Sequence, residues 1–148
     1  KGISGMMPLT LLMVLAFAIG TVCTELATGQ YVANITQSWL SPGLVPFILF
    51  LTSCFIAFST GTSWGTFAIM IAIAVPMARQ MDANIYLSIA AAIGGGVFGD
   101  HCSPISDTSI LSSMASASDH IDHVKTQLPY ALVAGGLTAL FYLIIGIM

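Results

Sequence analysis

The sequence predicts an all-α polytopic membrane protein with discontinuous helices and a re-entrant hairpin. Three observations lead there. The chain is 57% hydrophobic and 6% charged, with a mean hydropathy of +0.96, whereas a soluble domain carries about 25% charged residues. Its apolar runs approach the ~20 residues that cross a bilayer, yet several stop short and resume after a polar segment. Those segments hold glycines, hydroxyls and carboxylates. Irregular backbone at membrane depth survives only where protein buries it or where it lines a wet cavity.

Met6 to Cys23 is an apolar run of spanning length. Thr24-Glu-Leu-Ala-Thr-Gly-Gln30 interrupts it, and the half-apolar run Tyr31 to Leu40 is too short to span alone. In one reading, residues 6–40 form a hairpin with its tip at Glu25 to Gln30. In the other, the first run spans and the second lies at the interface. Turn chemistry at Thr28-Gly-Gln30 favours the hairpin. Leu44 to Phe58 and Phe67 to Ala78 flank Ser59-Thr-Gly-Thr-Ser-Trp-Gly-Thr66. Neither half has spanning length, so residues 44–78 are expected to form one broken helix. The spacing of Gly61 and Gly65 also suits helix packing.

A second broken helix is expected over residues 85–117, around Gly94-Gly-Gly-Val-Phe-Gly-Asp-His-Cys-Ser-Pro-Ile-Ser-Asp-Thr-Ser109. Gly94 to Gly96 weaken a helix, and Pro104 removes a backbone donor. Ser118 to Thr126 reads as a polar loop. Residues 128–148 read as the final span, with Pro129 in its first turn, where proline is tolerated. Residues 1–148 thus read as a single transmembrane domain. The sequence has no signal peptide, opens without Met and ends on an apolar run, which predicts a fragment of a longer polytopic protein. Lys1, Arg79 and Lys125 are too few to set orientation by positive-charge counting.

Composition narrows the function. Three basic residues give no electrostatic footprint for nucleic acid. Cys23, Cys54 and Cys102 lie in or beside apolar runs and read as buried free thiols, not a metal or disulfide framework. Gly-x-Ser-x-Gly, Walker and His-Glu-x-x-His motifs are absent. The adjacent pair His101-Cys102 does not by itself make a nucleophile and base, so no enzyme is expected. His120 and His123, with Asp119 and Asp122, have metal-compatible spacing but lack a third contributing element. No cofactor and no resident metal are expected.

Broken helices offer dipole ends and unwound carbonyls to ions, and intramembrane carboxylates default to function. The leading candidates are the carboxylates of Asp100 and Asp107 and the hydroxyls of Ser103, Ser106 and Thr108. Thr60, Thr62, Ser63 and Thr66 join them from the facing break. Oxygen donors suit hard cations. A carboxylate partly withdrawn from water favours its neutral form, so it takes a proton or a cation, and that competition is sufficient for exchange. Capping a half-helix is the alternative for either carboxylate, more so for Asp107, which precedes Thr-Ser-Ile-Leu. Secondary candidates are Glu25 and Thr28 at the hairpin tip and His101 as a proton relay. Glu25 reads equally as an interfacial residue, and His101 as a helix-end donor.

Gly99-Asp-His-Cys-Ser-Pro-Ile-Ser-Asp-Thr-Ser-Ile-Leu-Ser-Ser-Met114 resembles the signature of the NhaC-type sodium/proton antiporter family. Asp119-His-Ile-Asp-His-Val-Lys-Thr-Gln-Leu-Pro-Tyr-Ala-Leu132, Phe58 to Thr66 and Glu25 to Tyr31 are similar to further family blocks, with Ala27 standing where glycine is expected. The resemblance implies half of an inverted-repeat secondary transporter that exchanges sodium for protons across a prokaryotic cytoplasmic membrane. It carries over Asp100, Ser103, Ser106, Asp107 and Thr108 as cation-site residues, with Thr60, Thr62 and Ser63 opposite. The implied partners are the lipid bilayer, the remainder of the transporter chain and a second copy in a homodimer. Two other readings stand beside it. One is sodium- and proton-coupled exchange of small organic anions such as malate and lactate. The other is a membrane module that does not transport.

Overall fold

The computed structural model describes residues 2–148, and the side chains of residues 2–9, 12, 13 and 16 lie outside the description. Lys1, counted for orientation, also lies outside it. The described residues form α1 (Gly2–Glu25), α2 (Thr28–Thr36), α3 (Val45–Thr60), α4 (Ser63–Gln80), α5 (Ile85–Cys102), α6 (Asp107–Ala115) and α7 (His120–Ile147), with no strand among them. A 3-10 turn, Pro42–Leu44, leads into α3. Pro42–Thr60, Ile85–Cys102 and His120–Ile147 are long and apolar enough to cross a membrane. The all-α polytopic expectation holds.

Glycine sets the central packing. A Cβ at Gly95 would overlap the Phe50 carbonyl oxygen and meet the Ser53 Cβ at 2.7 Å. One at Gly99 would overlap the Cys54 carbonyl oxygen and meet the Ala57 Cβ at 2.9 Å. Contacts on α5 and α3 advance together, so these helices run parallel, backbone against backbone. Small residues permit such approach in membranes, where van der Waals packing replaces the hydrophobic drive. Gly94 to Gly96 therefore do not unwind α5, contrary to the expectation from their helix-weakening character. They stay helical because their missing side chains make room for α3 and for the Phe67 ring.

The break expected over residues 44–78 is a reversal. Gly61 lies against Ile105, but Gly96 faces Phe67 and Thr66, so α4 returns alongside α5 instead of continuing α3. Two residues make the turn. Gly61 ends α3 in the left-handed region at φ 67°, where glycine carries no Cβ penalty, and Thr62 is extended at φ −144°. Also, α3 with its leading turn covers 19 residues, so this half reaches spanning length without α4.

The hairpin expected over residues 6–40 takes another form. Gly20 of α1 packs on Ala68, Gly29 of α2 on Ile73 and Pro76, and Asn34 accepts a hydrogen bond from Gln80. The contacts climb α4 in one direction, so α1 and α2 are successive segments of an interrupted helix, not two arms side by side. Ala27 sits at the joint with φ 53°, the left-handed conformation that suits the glycine expected there.

Closing the bundle, α7 runs antiparallel to α5 and α3. Gly135 lies under Phe98, Tyr142 beside Gly94, and Gly146 against Gly43. Phe50 stacks at a tilt on Phe98 and Tyr142, with centroids 6.1 Å and 5.3 Å away. The core joins Val45, Leu49 and Phe50 to Met70, Ala74, Met77, Ala91 and Ala92. The expected loop at 118–126 is mostly helix. Asp119 caps α7 by accepting the Asp122 N–H at 3.0 Å, so the helix starts at His120 and Pro129 falls in its third turn.

Replacing Gly99 by leucine is expected to push α5 off α3 and destabilise the fold by at least the ~1–3 kcal/mol of an overpacked core. Gly136→Leu, with open space at its Cβ, should leave stability unchanged. Thermal unfolding of the purified protein followed by tryptophan fluorescence checks both.

Candidate functional site

Helix α5 ends at Cys102, and four residues, Ser103 to Ser106, separate it from α6. Ser103 is extended at φ −77°, ψ 130°. The residue before a proline is pushed out of helical geometry, which accounts for a break at this point. Ser106 caps α6, its hydroxyl accepting the Ser109 N–H at 3.1 Å. Hydroxyl capping of this kind stabilises a helix start by ~1 kcal/mol.

This break docks on the α3–α4 turn. The Ser103 hydroxyl donates to the Phe58 carbonyl at 2.8 Å and accepts the Ile105 N–H at 3.3 Å. The Asp107 N–H donates to the Gly61 carbonyl at 3.3 Å. Backbone groups freed at the end of α3 are thus satisfied by the other interruption. His120, expected in a loop, adds a third tie. Its Nε2 donates to the Pro104 carbonyl at 2.8 Å, and its Nδ1 shares a 3.2 Å hydrogen bond with the Ser113 hydroxyl. No local pattern announces this role, because the ring reaches across sixteen positions of chain.

Asp100 occupies the last turn of α5 and is 4% exposed. Its Oδ2 accepts the Thr108 hydroxyl at 3.0 Å, while its Oδ1 is buried without a partner. That Thr108 hydrogen is committed, so the 2.9 Å contact between Ser106 and Thr108 has Ser106 as its donor. A one-way chain results, from the Ser109 N–H through Ser106 and Thr108 to the carboxylate. Asp107 Oδ1 and Thr62 Oγ1 are also buried without partners, and Ser63 is buried beside Thr62. Buried polar atoms normally have partners, so three orphaned oxygens at one junction set it apart.

The structure therefore gathers Asp100, Ser103, Ser106, Asp107 and Thr108 with Thr62 and Ser63. Other candidates fall outside. Thr60 is exposed and donates to the Ile56 carbonyl of its own helix at 2.9 Å. Thr66 donates within α4, to the Thr62 carbonyl at 2.9 Å. Glu25 is exposed and Thr28 half-buried. Their neighbour Gly29 packs at Ile73 and Pro76, roughly three helical turns beyond Ser63. His101 is exposed, and its carbonyl accepts the Gln127 amide at 3.2 Å. Asp107 follows the capping residue; Ser106 is the cap. The junction lies where the candidate spans end, at Thr60, Cys102 and His120. The break falls at Ser103 to Ser106, beyond Gly94 to Gly96, which stay helical.

Among the described residues, three helices long and apolar enough to cross a bilayer mark part of a multi-pass membrane protein. Residues 1–147 match the Na+/H+ antiporter family, and the chain belongs to it, in keeping with the NhaC-type resemblance. It is 41% identical over 146 residues to an uncharacterised protein of Haemophilus influenzae, covering 98% of this chain and 28% of the relative. It is 29% identical over 132 residues to an uncharacterised Na(+)/H(+) antiporter of the same organism, covering 78% and 28%. Its identity to a malate-2H(+)/Na(+)-lactate antiporter of Bacillus subtilis is 28% over 133 residues, covering 79% and 28%. The chain thus spans little more than a quarter of the length of these relatives. No solved structure matches it.

Ser103→Ala removes the tie to Phe58 and leaves that carbonyl unpaired, which should lower stability by about 1–3 kcal/mol. Thr52→Val, which removes only a hydroxyl bonded within α3, should change it by less than ~0.5 kcal/mol. Thermal unfolding in one detergent compares the two.

Proposed function

We propose that this chain supplies the cation- and proton-binding site of a sodium/proton antiporter in the cytoplasmic membrane of a prokaryote. Asp100 carries the reading. It is buried, one oxygen is held by Thr108, and the other has no protein partner. An ionised carboxylate in that state is costly, and a bound sodium ion or a proton relieves the cost. Binding one excludes the other, so the loaded ion and the released proton are coupled through one group. Asp107 supplies a further oxygen from the same interruption and Thr62 and Ser63 from the α3–α4 turn, while the Ser103 hydroxyl and the Asp107 N–H hold the two interruptions in register. Hard monovalent cations prefer such oxygen donors. The rest of the longer transporter and the surrounding lipid are the partners in this proposal, with no cofactor.

A second reading, exchange of small organic anions coupled to sodium and protons, is favoured by the similarity to the malate–lactate antiporter. Uptake of radiolabelled malate and lactate separates the readings.

Dye-monitored proton movement in inverted vesicles containing the full-length protein tests the first. Asp100→Asn is expected to abolish sodium-driven proton movement, and Asp107→Asn to reduce it at least tenfold. Intact exchange in both variants would put the site elsewhere. Thr108→Val should raise the sodium concentration for half-maximal exchange several-fold, since it removes the donor that orients Asp100.

A further inference from the structure

The first hydroxyl on Asp100 belongs to a longer series. At 100° per residue, Thr108, Ser112 and Ser116 line up along one side of α6, with Ser116 as its C-cap. All three are exposed. Ser109 and Ser113 lie next to them on the buried side. The neighbouring sector is apolar, with Leu111 69% and Met114 72% exposed. An exposed hydroxyl arc beside an exposed apolar arc does not fit a helix surrounded by lipid alone. Polar side chains in membrane segments turn toward protein or water.

The hydrogen bonds give the arc a sign. Ser112 donates to the Thr108 carbonyl at 2.8 Å. Ser116 donates to the Ser112 carbonyl at 2.8 Å. Thr108 donates to Asp100. These bonds turn the hydroxyl hydrogens of Thr108 and Ser112 inward and leave oxygen lone pairs outward, while Ser116 also shares a 3.1 Å hydrogen bond with the Ser118 hydroxyl. In this arrangement the surface presents acceptor oxygens, which suit a partly hydrated cation. It begins at a carboxylate with an orphaned, buried oxygen. It ends about 12 Å further on, next to the charged segment that holds Asp119, Asp122 and Lys125.

We infer that the exposed hydroxyl arc of α6 is the route by which a monovalent cation passes between water and Asp100. The inference rests on the antiport reading and adds to it the face along which the ion travels. Access is therefore polar on the side of Ser112 and Ser116 and closed on the side of Leu111 and Met114.

Cysteine accessibility in the full-length protein tests this without depending on turnover. Ser112→Cys, Ser116→Cys, Leu111→Cys and Met114→Cys are each introduced and exposed to membrane-impermeant methanethiosulfonates in right-side-out and inverted vesicles. The unaltered protein, whose cysteines Cys23 and Cys54 are half-buried and Cys102 buried, gives the background. From one side of the membrane, the two serine positions are expected to react at least tenfold faster than Leu111→Cys and Met114→Cys. The cationic reagent should also outpace the anionic one at Ser112→Cys after correction for their reactivity with a free thiol. Equal reaction on both faces, no reaction at either serine position, or no preference for the cationic reagent would overturn the route. Proton movement measured on the same vesicles distinguishes failure of the route from failure of antiport. Unreactive serine positions in a protein that still exchanges sodium remove the route and leave the antiport reading standing.

Discussion

Two chain interruptions satisfy one another's backbone, and the site exists because they do. The end of α3 leaves carbonyls at Phe58 and Gly61 without helical partners. The start of α6 leaves N–H groups in the same condition. The Ser103 hydroxyl and the Asp107 N–H supply the missing partners. In an apolar setting each unpaired group would cost several kcal/mol, so neither interruption is stable at this position without the other. Carboxylates and hydroxyls are carried there as a consequence of backbone chemistry.

That meeting is arranged at a distance, by the parallel contact of α3 and α5. Gly95 and Gly99 let the two backbones touch, which brings both helices to their ends at one level. Phe50, wedged between Phe98 and Tyr142, holds α7 against the pair. His120, at the head of α7, then reaches the Pro104 carbonyl. The glycines of the core and the oxygens of the junction are thus parts of one device, separated by only a turn or two of α5.

What could be read from the chain was governed by how local the cause was. Pro104 and Gly61 impose breaks through their own stereochemistry, and Ser106 caps through its own hydroxyl, so the positions of both breaks were legible. The cluster of Asp100, Ser103, Ser106, Asp107 and Thr108 followed from them. The effect of Gly94 to Gly96 was not legible, because it is decided by what faces them, and only the fold supplies Phe50, Cys54 and Phe67. The direction taken after Gly61, and the single direction kept across Ala27, are likewise set by packing on α4 and α5. Thr60 and Thr62 are two residues apart and chemically alike, yet only Thr62 turns inward. Polar residues from His120 to Thr126 resembled a loop because their helix is capped by Asp119 and carries its charge on exposed faces.

The donor order from Ser109 through Ser106 and Thr108 to Asp100 gives this junction a direction. Each hydroxyl has one hydrogen, so a turn at Thr108 obliges Ser106 to turn its own. A disturbance at the carboxylate end is therefore passed along the chain as a change of donor order.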